Sequence, residues 1–247
     1  MYLKISKNYP GFKIKHLFNS NDCLALHAQL KIREMVEKKE HTAIDKKEHI
    51  VNTAIELFAD RGFEGTSMRD LAAAAEVNIA MINYYFGTKE NLLNSMVEYR
   101  VGYSLETLEE IVKDKTLTPL KKIRKAVATH LESVRDNLKF HKIVYHEIML
   151  SQRPETNEVL GKLLVKKKQT LVNIIEEGIK SGDFRNVDIQ LTLASIFGVV
   201  NQFYLSKTIC KMYTNDAPSY DPYTDTKFQK RISDYMNNLI DSLLLNR

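Results

Sequence analysis

A chain of 247 residues with 44% apolar and 27% charged side chains, nine Gly, five Pro and two Cys has ordinary globular chemistry. It excludes a collagen-like, low-complexity or disulfide-stapled protein; Cys23 and Cys210 lie far apart and in no metal-like spacing. The net charge of +5 divides into +4 for residues 1–44, −3 for 45–100 and +4 for 101–247, so bulk charge marks no single segment as a nucleic-acid surface.

Residues 1–34 carry the break Tyr9-Pro10-Gly11 and little periodicity. The functional domain is expected to begin near Met35, with 1–44 as a flexible extension; a basic arm that touches DNA is the alternative. No continuous apolar run suggests a signal peptide or a membrane span, so a soluble, cytoplasmic protein is expected.

From Asp45 to Asp60, Ile50, Ala54, Leu57 and Phe58 form one apolar helical stripe. Gly62 suits the left-handed residue past a helix end, and Phe63 is expected to fold back onto that helix. Ser67 and Asp70 have capping-box spacing, with Thr66 as the alternative cap, before a short helix that buries Leu71, Ala72 and Ala75. Glu76-Val77-Asn78 reads as a turn, and Asn78 as the N-cap of a third short helix from Ile79 to Tyr85. Gly87 breaks that helix, and Thr88 caps a long one from Lys89 to about Val112. Three short helices with a tight turn between the second and third form a helix-turn-helix, which needs the fourth helix to bury its apolar faces.

Further helices are expected from Pro119 to about Leu138, His141 to Ser151, Glu155 to Lys180, Asp188 to Met212 and Thr224 to Leu245, with 213–223 as an exposed loop. The fold class is therefore all-α: an N-terminal three-helix, homeodomain-like helix-turn-helix domain over 45–95, followed by a helical domain over 96–247. The helices at 188–212 and 224–245 carry more apolar residues than one buried stripe needs. That surplus suggests a homodimer, unless both faces are buried within one chain.

The run Arg61-Gly62-Phe63-Glu64-Gly65-Thr66-Ser67-Met68-Arg69-Asp70-Leu71-Ala72, then Val77-Asn78, then Tyr84-Tyr85-Phe86-Gly87-Thr88-Lys89-Glu90-Asn91-Leu92-Leu93, resembles the N-terminal domain of TetR/AcrR regulators over about Lys47 to Met96. Glu177 to Arg185 resembles a stretch frequent in the C-terminal domains of that family. The resemblance implies a palindromic double-stranded operator read by a dimer, and a C-terminal core that binds a small-molecule effector. Carried over by position, Thr66 or Ser67, Tyr85 and Lys89 are expected on phosphate, and Asn78, Ile79, Ala80, Met81, Asn83 and Tyr84 toward the bases. Helical geometry sends Ile82 and Phe86 to the core and leaves Ile79, Met81, Asn83 and Tyr84 for the outer side. Asn83 suits adenine, and Ile79 or Met81 a thymine methyl. Asn83 and Ala80 depart from the commoner Tyr and Gly of the family pattern, which concerns base contacts rather than docking mode.

An effector cleft lined by Tyr103, His130, Tyr145 and Met149 is expected from position alone. His141, His146 and Glu147 diverge on a helix and do not read as metal ligands. Lys166-Lys167-Lys168 reads as a solvated surface. No catalytic constellation, cofactor or metal site is expected. The leading function is a ligand-responsive repressor; the alternatives are an effector-independent architectural or division-related DNA binder, and an all-helical enzyme.

Overall fold

The computed structural model describes residues 45–150, 152–214, 217 and 219–246, so the expectations for 1–44 lie outside the described residues. Among those described, the elements are all helical. They are α1 (45–61), α2 (Met68–Ala74), α3 (Ile79–Phe86), α4 (Lys89–Lys113), α5 (Pro119–Asp136), α6 (Leu138–Leu150), α7 (Pro154–Ser181), α8 (Ile189–Leu205), α9 (Lys207–Thr214) and α10 (Thr226–Leu244). Among the described residues no single helix is long and apolar enough to cross a membrane.

Local chemistry sets most of the boundaries. Ser67, Asn78, Thr88, Thr118, Asp188 and Asp225 each cap the helix that follows with a side-chain oxygen. Ser67, not Thr66, is the cap of α2, with the reciprocal Asp70 bond of a capping box. Gly62 at φ +75° and Gly182 at φ +80° take the left-handed conformation that ends α1 and α7.

Residues 50–247 form one compact unit with two apolar cores. The first gathers Ile50, Ala54, Phe58, Leu71, Ile82 and Phe86 with Leu92 to Val101 of α4, and it also takes Phe140 and Val144 of α6 and Leu160 of α7. The second joins the far halves of α4 and α7 to α5, α8 and α10. The expected boundary at 95/96 falls inside α4, and the head is sealed by residues far along the chain. That follows from size, because three short helices cannot bury enough apolar surface alone.

Two C-terminal elements differ from expectation. The helix expected to reach Met212 stops at Leu205, and the chain turns 98° at Ser206 into α9. The link expected to be exposed is partly packed: Tyr223 stacks on Tyr204 and donates its hydroxyl to the Tyr204 carbonyl at 2.8 Å. Gly178 in α7 sits against Phe184, where an added Cβ would fall 2.1 Å from the ring. The Glu177 to Arg185 stretch is thus a close-packing corner.

Candidate DNA interface and ligand cavity

The α2–turn–α3 unit is assembled by its own sequence. Glu76 adopts φ 52°, a left-handed conformation costly for a side-chain residue, and the turn closes with the Val77 N–H donating to the Ala72 carbonyl at 3.0 Å. Asn78 Oδ1 accepts from the Ala80 N–H at 2.8 Å and starts α3. Ile82 and Phe86 are buried against α1, α2 and α4, which fixes the rotation of α3. Asn78, Ile79, Ala80, Asn83 and Tyr84 consequently face outward, Tyr84 with 83% of its surface exposed. Met81 and Tyr85 are half-buried, and Tyr85 also packs against the first core.

Two expected phosphate ligands are placed differently. Thr66 is buried, and its hydroxyl donates to the Gly62 carbonyl at 2.9 Å, stitching the α1–α2 link. Lys89 Nζ donates to the carbonyls of Phe63 at 2.8 Å and Thr66 at 3.0 Å and lies 4.2 Å from the Phe63 ring centre. Its charge is engaged by backbone inside the head. Ser67 remains at the surface with its hydroxyl in the capping box.

The other face of Phe63 carries a feature absent from the sequence reading. The Arg153 guanidinium lies 3.9 Å from the ring centre. It also donates through Nη1 to both oxygens of buried Glu147, at 2.7 and 2.8 Å, and through Nη2 to Glu64 at 2.5 Å. Pro154 begins α7 immediately afterward and Arg153 makes no side-chain cap, so its guanidinium is free to bridge to the head. On α6, Lys139 reaches Glu56 and Asp60 of α1 at 2.5 and 3.2 Å. These partners are remote in sequence, and nothing local signals them.

Between the two cores lies a cavity of about 530 Å³ bounded by α4, α5, α6, α7 and α8, a volume typical of small-molecule sites. Tyr103, His130 and Tyr145 line it. Met149 does not; it is 65% exposed on the outer side of α6. Two further lining residues were not expected there, and one of them corrects the sequence reading. His141 enters the cavity, its ring 5.9 Å from that of His130. Lys167 is not a solvated surface residue: it reaches the cavity wall and donates to Ser104 Oγ at 3.0 Å. Lys168 also borders the cavity but is exposed, whereas Lys166 pairs with Glu109 outside it, a division that three consecutive lysines hide in a sequence.

Burial dominates the titration of this wall. It pulls the Lys167 ammonium down to about 8. It also pulls His141 down to about 4, with the nearby Lys167 charge acting in the same direction, and lowers His130, where both Lys167 and His141 add to the effect of burial. Both histidines are therefore neutral near pH 7. Among the described residues no group of His, Cys, Asp or Glu is arranged to hold a metal ion.

Residues 50–96 match the family model described as "Bacterial regulatory proteins, tetR family", and residues 116–205 match "Tetracyclin repressor-like, C-terminal domain". The probable HTH-type transcriptional regulator YttP of Bacillus subtilis (strain 168) is 29% identical over 164 residues, 66% of this chain and 78% of that protein. The fatty acid metabolism regulator protein of the same organism is 27% identical over 157 residues, 62% of this chain and 78% of the relative. The hemolysin II transcriptional regulator HlyIIR superposes with a TM-score of 0.58 at 25% identity, covering 83% of this chain and 99% of that structure. FadR from Bacillus subtilis, solved in complex with stearoyl-CoA, shares the fold with a TM-score of 0.60 at 24% identity over 78% of this chain and 96% of that one.

Proposed function

The chain belongs to the TetR family of bacterial transcriptional regulators, and from that premise we propose that it is a ligand-responsive repressor that binds a palindromic operator as a homodimer. The observation that carries this reading is the orientation of α3: Ile82 and Phe86 are locked into the core while Ile79, Ala80, Asn83 and Tyr84 stand free. A helix of eight residues with a polar and aromatic outer face fits the major groove. Asn83 is assigned to a base edge, and Ile79 to a thymine methyl. Tyr84 is assigned to the base side and Tyr85 and Ser67 to phosphate, with the Lys89 side chain holding the preceding link in place.

Dimer formation is assigned to α8 and α10. Much of their apolar surplus is buried within the monomer, including Leu193, Ile196, Val200, Ile232, Met236 and Ile240. What remains outside is a row on α8 of Leu191, Ala194, Ser195 and Gly198, spaced to share one face, and exposed Tyr235 on α10. Small residues flanked by a Leu and a Tyr suit close packing of two helix pairs as a four-helix bundle.

The α4–α8 cavity is assigned to the effector, and α6 to its coupling with the head. One side of α6 gives Phe140, His141, Val144, Tyr145 and Ile148 to the cavity. The same helix holds α1 through Lys139 and carries Glu147, which grips Arg153 on Phe63. A shift of α6 on ligand binding is thereby transmitted to the link that presents α2 and α3.

Selection of bound DNA from a random pool tests the reading. The expected product is two copies of one half-site in inverted repeat, with centres about 10 base pairs or a multiple apart. A pool that yields no enriched sequence refutes operator binding, and a single unrepeated site refutes the dimer. Effector-independent architectural binding predicts enrichment without a repeated motif.

A further inference from the structure

On the wall of the α4–α8 cavity, Lys167 has no anionic partner among the described residues. Lys167 donates to Ser104 Oγ at 3.0 Å, which leaves two of its three ammonium protons for other acceptors. Among the described residues neither carboxylate on the same wall, Glu132 or Asp136, pairs with it. Asp136 accepts from Arg135 Nε at 2.7 Å and Nη2 at 3.1 Å, and the depressed proton affinity of Lys167 has desolvation as its cause, with no carboxylate opposing it. Burying an ammonium without a counter-ion is unfavourable, so the arrangement is costly to the free protein. A ligand that brings the missing negative charge removes that cost.

The rest of the cavity limits what such a ligand can be. His130 and His141 are uncharged near neutral pH, and the His130 Nδ1 is buried with no hydrogen-bond partner. Arg100 and exposed Lys168 also border the cavity; Arg100 Nη2 donates to Asn52 Oδ1 at 2.5 Å, and its Nε is buried without a hydrogen-bond partner. Lys167 and the Ser104 hydroxyl stand side by side as donors for one carboxylate. Behind Lys167 the wall is apolar and aromatic: Val101, Phe140, Val144, Leu171 and Phe197.

We propose that the effector is an apolar monocarboxylate, a free acid whose carboxylate pairs with Lys167 beside Ser104 and whose hydrocarbon body lies on Val101, Phe140, Val144, Leu171 and Phe197. This rests on the assignment of the cavity as the effector site. It distinguishes a free acid from its coenzyme A thioester, which has no carboxylate at the end of its acyl chain.

Titration calorimetry of the full chain with decanoate, decanol and decanoyl-coenzyme A, without DNA, tests the proposal. Decanoate is expected to bind with 1:1 stoichiometry per chain, at least about tenfold more tightly than decanol. Lys167→Met keeps the apolar stem and is expected to weaken decanoate about 30-fold or more while leaving decanol within about threefold. Lys167→Arg, which keeps the charge, is expected to recover most of the lost affinity. Equal affinity for decanoate and decanol overturns the proposal. Binding of decanoyl-coenzyme A alone overturns it too, as does unchanged decanoate affinity in Lys167→Met. Because calorimetry is done without DNA, such a failure leaves operator selection intact and is distinguishable from a failure of the repressor reading.

Discussion

Replacing Arg153 by Met removes the bridge between the cavity helices and the head, and the structure gives the scale of the loss. Glu147 is 3% exposed, and both of its oxygens accept from Arg153 Nη1, at 2.7 and 2.8 Å. Removing one partner of a buried pair leaves an uncompensated carboxylate and costs about 3–5 kcal/mol. Loss of the guanidinium from the Phe63 face adds about 0.5–2 kcal/mol. The Glu64 side chain is 80% exposed, so its pair adds no more than about 1 kcal/mol. Together these give a loss of about 4–8 kcal/mol, a large fraction of a stability of about 5–15 kcal/mol.

Urea unfolding followed by circular dichroism measures this loss, and operator affinity at fixed salt measures the effect on the head. Glu147→Gln in the Arg153→Met background is expected to recover about half of the loss, because the buried charge then disappears with its partner. Arg153→Met within about 1 kcal/mol of the parent refutes the bridge as a stabilising device. A double variant whose loss equals the sum of the single losses refutes the direct coupling of Glu147 and Arg153.

Asn83→Ala should relax specificity at one base pair per half-site, read by competition with variant operators. Lys89→Met should lower stability by about 1.5–3 kcal/mol through its two carbonyl partners yet leave the slope of log affinity against log salt unchanged; a slope reduced by about one would mean that Lys89 does meet phosphate. Folding stability should fall as the solution is acidified from about pH 6.5 toward 4.5. In that window the unfolded chain protonates His141, whereas the folded chain, with His141 held near about 4, does not. His141→Phe should flatten this part of the urea-midpoint profile, and an unchanged profile would rule His141 out as its source. Gly178→Ala should cost about 1–3 kcal/mol, because the added methyl meets the buried Phe184 ring. Phe184→Leu should recover part of that loss in thermal melts; no recovery would place the cost elsewhere.

Elements governed by neighbours in sequence were legible without coordinates. The caps at Ser67, Asn78, Thr88 and Asp188, the left-handed glycines 62 and 182, and the inward turn of Ile82 and Phe86 depend on interactions within one or two helical turns, so residue type and spacing settle them. The outward set on α3 follows from the same periodicity, and Tyr103, His130 and Tyr145 were placed near the cavity by position. The tertiary structure decided what depends on distant partners. It committed Lys89 to two carbonyls more than twenty residues away, buried Thr66, turned the chain at Ser206, left Met149 outside the cavity and set Lys167 within it. It also joined Arg153 to Glu64 across 89 positions. A lysine or arginine has a long stem and a charge satisfied equally well by water, by a carbonyl or by a carboxylate. Its sequence neighbours therefore fix where the stem starts, and only the packed fold fixes where the charge ends.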